Sequence, residues 1–188
     1  MAYPFDANYY LQSKLAQLKN TGEKDANGNE YTEASLLQVL NNFELTPQQH
    51  YEQFGQFEGL NANPYFNANE YLQAKVRQLN SFNQDGDQWT VKELSDLLTS
   101  LNLTPIEHYV RYGALETDAN GNYINPSNAF DVNAYFSAKL YQLRDTGETV
   151  NGRKGPAITM DDLIGVFKGY GISPVEHYIQ YGRVLTKE

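Results

Sequence analysis

The chain contains no cysteine. That absence removes disulfides, thiolate zinc sites and cysteine nucleophiles from consideration. It fits the cytoplasm, and equally an exported protein that dispenses with disulfides. No apolar run approaches the roughly 20 residues of a membrane span. No N-terminal segment has the basic, apolar and small-residue order of a cleavable signal. Basic residues are scarce, with 14 Lys and Arg against 23 Asp and Glu, for a net charge of −9. Nucleic acid and anionic membrane both demand basic surface, so neither is an expected partner. A serine elbow, a phosphate-cradling glycine loop and a His-Glu zinc motif are all missing.

What is present is aromatic. Fifteen Tyr and nine Phe accompany a hydrophobic content of 40%. A packed core is therefore within reach despite a mean hydropathy of −0.62, and a disordered tail would lack such residues. The aromatics also fall in a pattern written three times. Phe5-Asp6-Ala7-Asn8-Tyr9-Tyr10-Leu11 returns as Phe66-Asn67-Ala68-Asn69-Glu70-Tyr71-Leu72 and as Phe130-Asp131-Val132-Asn133-Ala134-Tyr135-Phe136. Leu45-Thr46-Pro47-Gln48-Gln49-His50-Tyr51 returns as Leu103-Thr104-Pro105-Ile106-Glu107-His108-Tyr109 and as Ile172-Ser173-Pro174-Val175-Glu176-His177-Tyr178. Such self-similarity outranks any local motif as a guide to architecture. It divides the chain into copies at 1–63, 64–128 and 129–188, expected to pack as one continuous domain. The first two copies are acidic, whereas the third carries seven acids and seven bases.

Each copy reads as three helices. Asp6, Asn67 and Asp131 stand at N-cap positions, with Phe5, Phe66 and Phe130 before them and Tyr10, Tyr71 and Tyr135 at the spacing of a hydrophobic staple. The stripes Leu11/Leu15/Leu18, Leu72/Val76/Leu79 and Phe136/Leu140/Leu143 have helical periodicity. Thr32, Thr90 and Thr159 cap a second helix, with capping boxes completed by Glu93 and Asp162. Thr46, Thr104 and Ser173, each followed by Pro, open a third. Gly55, Gly113 and Gly182 are read as its terminators. The expected fold is all-α: about nine short helices in a compact array, with no strand of consequence. Helices this short are marginal alone and need packing between copies.

Chemistry, if any, belongs to the polar loops before the second helices. These are Asp25-Ala26-Asn27-Gly28-Asn29-Glu30-Tyr31 and Asn83-Gln84-Asp85-Gly86-Asp87-Gln88-Trp89, with a third run at Asp118-Ala119-Asn120-Gly121-Asn122. Alternating oxygens on Asp25, Asn27 and Asn29, on Asn83, Asp85 and Asp87, and on Asp118, Asn120 and Asn122 suit Ca²⁺, with carbonyls of Tyr31 and Trp89 as further ligands. Against this, the Gly falls fourth instead of sixth, and Leu36 and Leu94 stand where an EF-hand has its bidentate Glu. Asp, Asn and Gly also make turns without any metal. The third copy has Arg153 and Lys154 in the corresponding loop and should bind no Ca²⁺.

His50, His108 and His177 occupy one position of the pattern, as do Lys14, Lys75 and Lys139, and Gln17, Gln78 and Gln142. A zinc site would need the histidines to converge, and a catalytic lysine is needed once, not three times. Half-buried histidines and structural lysine contacts are the expectation. Asp161 and Asp162 are adjacent, so on a helix they diverge by about 100° and make no acid–base pair.

The run His50-Tyr51-Glu52-Gln53-Phe54-Gly55-Gln56-Phe57-Glu58-Gly59, leading into Asn63-Pro64-Tyr65-Phe66-Asn67 and Tyr71-Leu72, resembles a tandem helical repeat of large secreted bacterial proteins. These include S-layer-like and RTX-type calcium-binding surface proteins. The resemblance covers nearly the whole chain but departs in the middle of each copy, where a polar loop and an extra helix replace a short link. It implies a secreted or cell-surface, array-forming module without catalysis, partnered by other copies or domains of a surface array. The alternative is a module that binds a glycan or protein through an aromatic or acidic face.

Overall fold

The computed structural model describes residues 3–83 and 86–182. Among these, nine α-helices follow one another: α1 (Ala7–Thr21), α2 (Glu33–Asn42), α3 (Pro47–His50), α4 (Ala68–Phe82), α5 (Val91–Ser100), α6 (Pro105–Arg111), α7 (Val132–Asp145), α8 (Met160–Tyr170) and α9 (Pro174–Tyr181). The chain is thus mostly helical. One small antiparallel hairpin, β1 (Thr149–Val150) with β2 (Arg153–Lys154), lies between α7 and α8. Asn151 and Gly152 turn it at φ 49° and 78°, the left-handed pair that a two-residue hairpin favours.

The caps sit where the side chains demand. Asp6, Asn67 and Asp131 accept the backbone N–H of Tyr9, Glu70 and Ala134 at 3.0 Å each. The staple rings meet at 5.6 Å for Phe5–Tyr10, 5.7 Å for Phe66–Tyr71 and 5.4 Å for Phe130–Tyr135. Capping boxes open α5, α8, α6 and α9, and also α2, where Ser35 takes the place of the usual Glu.

The third helical segment departs from expectation. α3 has four residues and widens into a π-turn over Tyr51–Gly55, while α6 ends at Arg111 before a 3-10 turn, Gly113–Leu115. Gly55 and Gly113 are not among the residues with positive φ, so their role is not that of left-handed terminators. A Cβ on Gly55 would overlap the Tyr10 hydroxyl, and one on Gly113 the Tyr71 hydroxyl. They are glycine so that a buried tyrosine from the first helix can lie against bare backbone.

α1 packs on α2 and α3, α4 on α5 and α6, and α7 on α8 and α9. The segments after α3 and α6 return to the start of their own copies: Asp6 N–H donates to Ala62 O at 2.8 Å, and Asn67 N–H to Pro126 O at 3.0 Å. The largest buried cluster draws on all three sequence copies, including Tyr10, Tyr51, Phe66, Tyr71, Tyr109, Phe136, Phe167 and Val175. Two satellites remain local: Leu11/Leu18/Leu36/Leu40 and Leu72/Leu94/Leu98. Pro4, Asn63, Ile106, Tyr109, Ser173 and Val175 meet around one small void. Tyr65 packs edge-on against Tyr178 at 5.1 Å and 84°.

Candidate functional site

The polar residues that recur in sequence also recur in contact. Tyr10, Tyr71 and Tyr135, on the first helix of each copy, reach Nδ1 of His50, His108 and His177 at 2.6, 2.7 and 2.5 Å. Burial and then a nearby lysine (Lys14, Lys75 or Lys139) hold the three imidazoles below their ordinary range. Burial is also the leading reason the three phenols titrate above theirs. Both shifts keep the tyrosine protonated and the imidazole neutral, so each contact is a neutral hydrogen bond whose direction follows the imidazole tautomer. Each imidazole also packs, tilted, against the aromatic residue four further on: Phe54 at 5.3 Å, Tyr112 at 5.6 Å and Tyr181 at 5.0 Å.

Beside each pair lies a lysine. Lys14 Nζ donates to Gln17 at 2.8 Å and pairs with Glu58 at 2.7 Å. Lys75, buried, donates to Gln78 at 2.9 Å and pairs with Glu116. Gln78 in turn donates to Thr117 O at 3.1 Å. Lys139 donates to Gln142 at 3.1 Å and pairs with no carboxylate among the described residues. Glu58 and Glu116 were legible as partners, since both stand three residues after the glycines that follow Phe54 and Tyr112.

The loops proposed for calcium are closed by their own hydrogen bonds. Asp25 Oδ1 accepts the N–H groups of Asn27 and Asn29 at 2.9 and 2.8 Å. Asp118 Oδ1 accepts those of Asn120 and Asn122, both at 2.9 Å. The same backbone bonds, that from Asn122 foremost, pull the Asp118 carboxyl below its ordinary range. In the remaining loop Asp85 lies outside the described residues, Asn83 donates to Asp87 O at 2.9 Å, and Trp89 O accepts from Asn80 at 3.0 Å. Tyr31 packs against the α1–α2 cluster. Each Asp-Ala-Asn-Gly-Asn loop thus presents one carboxylate, already engaged by backbone donors. Among the described residues no three His, Asp or Glu side chains group as metal ligands. As they stand, the hydrogen bonds within each Asp-Ala-Asn-Gly-Asn loop make it a self-closed turn.

In the third copy the corresponding loop carries a cation of its own. Arg153 on β2 reaches Asp162 Oδ1 and Oδ2 at 2.9 and 2.7 Å. Asp162 also closes the α8 capping box with Thr159. Thr159, through its hydroxyl and backbone N–H, followed by Arg153, holds the Asp162 carboxyl well below the carboxylate range.

The exposed apolar residues also repeat. Phe43, Leu101 and Tyr170 stand at the ends of α2, α5 and α8, with Phe54, Tyr112 and Tyr181 nearby in sequence, all open to solvent. Trp89 is held by its backbone to Asn80, with its ring at the surface. Among the described residues no helix is long and apolar enough to cross a membrane. No protein-family model, curated protein or solved structure matches the chain.

Proposed function

We propose that the chain is three tandem copies of a three-helix unit packed into a compact array, and that it serves as a non-enzymatic structural or assembly module of a secreted or cell-surface bacterial protein. One observation carries this reading. The three histidines of the chain, the staple tyrosines and the lysines beside them recur in every copy and meet in the same way: tyrosine with histidine, and lysine with glutamine. A catalytic group is needed once and open to substrate, whereas a building block needs the same joint in each copy. The likeness to S-layer-like and RTX-type surface repeats agrees with that role. Sedimentation velocity over a wide concentration range tests it. Growth into larger assemblies is expected, and a strict monomer at every concentration would sink it.

Within this reading, calcium is the ion that the Asp25 and Asp118 loops would take, at the expense of backbone bonds they already make. Weak, millimolar affinity follows. A melting temperature that rises in millimolar calcium and falls with chelator, with the response reduced in Asp118→Ala, is expected of such sites. No shift would leave the loops as plain turns.

The second reading, a glycan- or protein-binding module, is favoured by the repeating exposed aromatics, with Phe43 72% and Tyr170 82% exposed. A Trp89 fluorescence change on adding polysaccharide, without any concentration-dependent assembly, would select it.

A further inference from the structure

The third copy differs from the first two at one lysine, and beside that lysine the fold leaves a cavity. Three residues beyond the glycine, the first two copies have a glutamate in sequence, Glu58 and Glu116, where the third has Leu185. The two glutamates pair with Lys14 and Lys75. Lys139 retains only Gln142 among the described residues. It lines a cavity of about 690 Å³ between α7, the β1 strand, α8 and α9, within the range of small-molecule sites. The walls are largely apolar, with Val150, Leu163 and Phe167 among them, and His177 and Asn151 add polar nitrogens. Glu148 also contributes to the lining.

We propose that this cavity binds a small monocarboxylic acid with an apolar tail, its carboxylate taking at Lys139 the place that Glu58 and Glu116 take at Lys14 and Lys75. An ammonium facing an apolar cavity favours a counter-ion, because a charge drawn from water without a partner is costly. The tail displaces water from Val150, Leu163 and Phe167, at about 0.8 kcal/mol per buried methylene. The Glu148 carboxylate disfavours a doubly charged head such as phosphate.

Octanoate is the probe, titrated calorimetrically into the full chain, with 1-octanol and octyl phosphate as comparison ligands. Saturable one-to-one octanoate binding, tighter than either comparison ligand, is expected. Lys139→Met should weaken octanoate at least tenfold while leaving 1-octanol unchanged. Leu185→Glu writes into the third copy the glutamate that the first two carry three residues after their glycines, and should weaken octanoate to the same degree. Absence of saturable octanoate binding overturns the proposal, as does octanoate affinity that survives both substitutions. Equal or tighter binding of 1-octanol overturns the assignment of Lys139 to the head group.

Discussion

Tyr71 and Tyr109 pack edge to face at 5.3 Å in the same core, yet their hydroxyls differ. The Tyr71 hydroxyl is hydrogen-bonded to His108 Nδ1, whereas the Tyr109 hydroxyl is buried without a hydrogen-bond partner. An unsatisfied buried hydroxyl costs desolvation, and removing one that is satisfied strands its partner. Tyr109→Phe should therefore be neutral or stabilising by up to about 1 kcal/mol, while Tyr71→Phe should cost about 1 kcal/mol or more. Urea melts of the two variants check this, and a larger loss for Tyr109→Phe would contradict it. The histidines set a pH dependence. Their folded values lie below the ordinary 6.5, so the unfolded chain binds more protons just below that pH. Stability is full above about pH 6.5 and declines as pH falls toward the depressed folded values. A lower melting temperature at pH 5.5 than at 7.5 is expected, with the slope flattened in the triple variant His50→Gln, His108→Gln, His177→Gln. The carboxylates of Asp118 and Asp162, depressed in the fold, act in a separate window. Their contribution is present above their unfolded value and lost only as pH falls below it. That the histidines would be half-buried was readable from their helical position. That each would face the staple tyrosine was not, because the contact joins residues about 40 positions apart.

At the scale of elements, start signals were legible and endings were not. Caps and staples involve residues three to five apart, so sequence spacing states them almost completely. The π-turn at Tyr51–Gly55 depends on where Tyr10 arrives from α1, which no local window contains. Gly55→Ala and Gly113→Ala test that reason. As helix terminators with negative φ, these glycines would accept Ala at little cost or with a gain. As clearance for the Tyr10 and Tyr71 hydroxyls, they should lose 1–3 kcal/mol, approximately the cost of overpacking. Gly22, with φ 74° and an open side, is the control in which strain alone would act. The hairpin offers a second test. Arg153 ties β2 to the cap of α8, so Arg153→Ala should lower the melting temperature and raise the pH at which Asp162 titrates, followed by carboxyl NMR. An unchanged Asp162 titration would show that the Thr159 bonds alone hold it. Trp89 shows the limit of matching copies by position. Ile158 is fully buried and Tyr31 partly so, but the Trp89 ring remains at the surface, so the shared position does not mark a shared pocket.

Across the whole molecule the burial is unequal, and the inequality predicts how the chain unfolds. The satellite clusters around Leu36 and Leu94 are closed by two helices each. The central cluster joins side chains from every sequence copy, with Phe66 and Tyr109 at its middle. Among the described residues the third copy has no satellite of its own, since Phe136, Leu163 and Phe167 belong to the central cluster. Tandem units that touch only their neighbours open one by one, as near-independent sums, whereas a shared core binds their fates together. Native-state hydrogen exchange separates the two. Leu36→Ala should cost about 2–5 kcal/mol, the range for a buried leucine. Its effect should appear in the amides of α1 and α2, with those of α7 and α8 keeping their protection. Phe66→Ala, at about 3–5 kcal/mol, should lower protection in all of α1, α4 and α7 together. If Phe66→Ala instead left α7 untouched, the three copies would be neighbours without a common core. The aromatic residues that run through this sequence would then stabilise each copy separately.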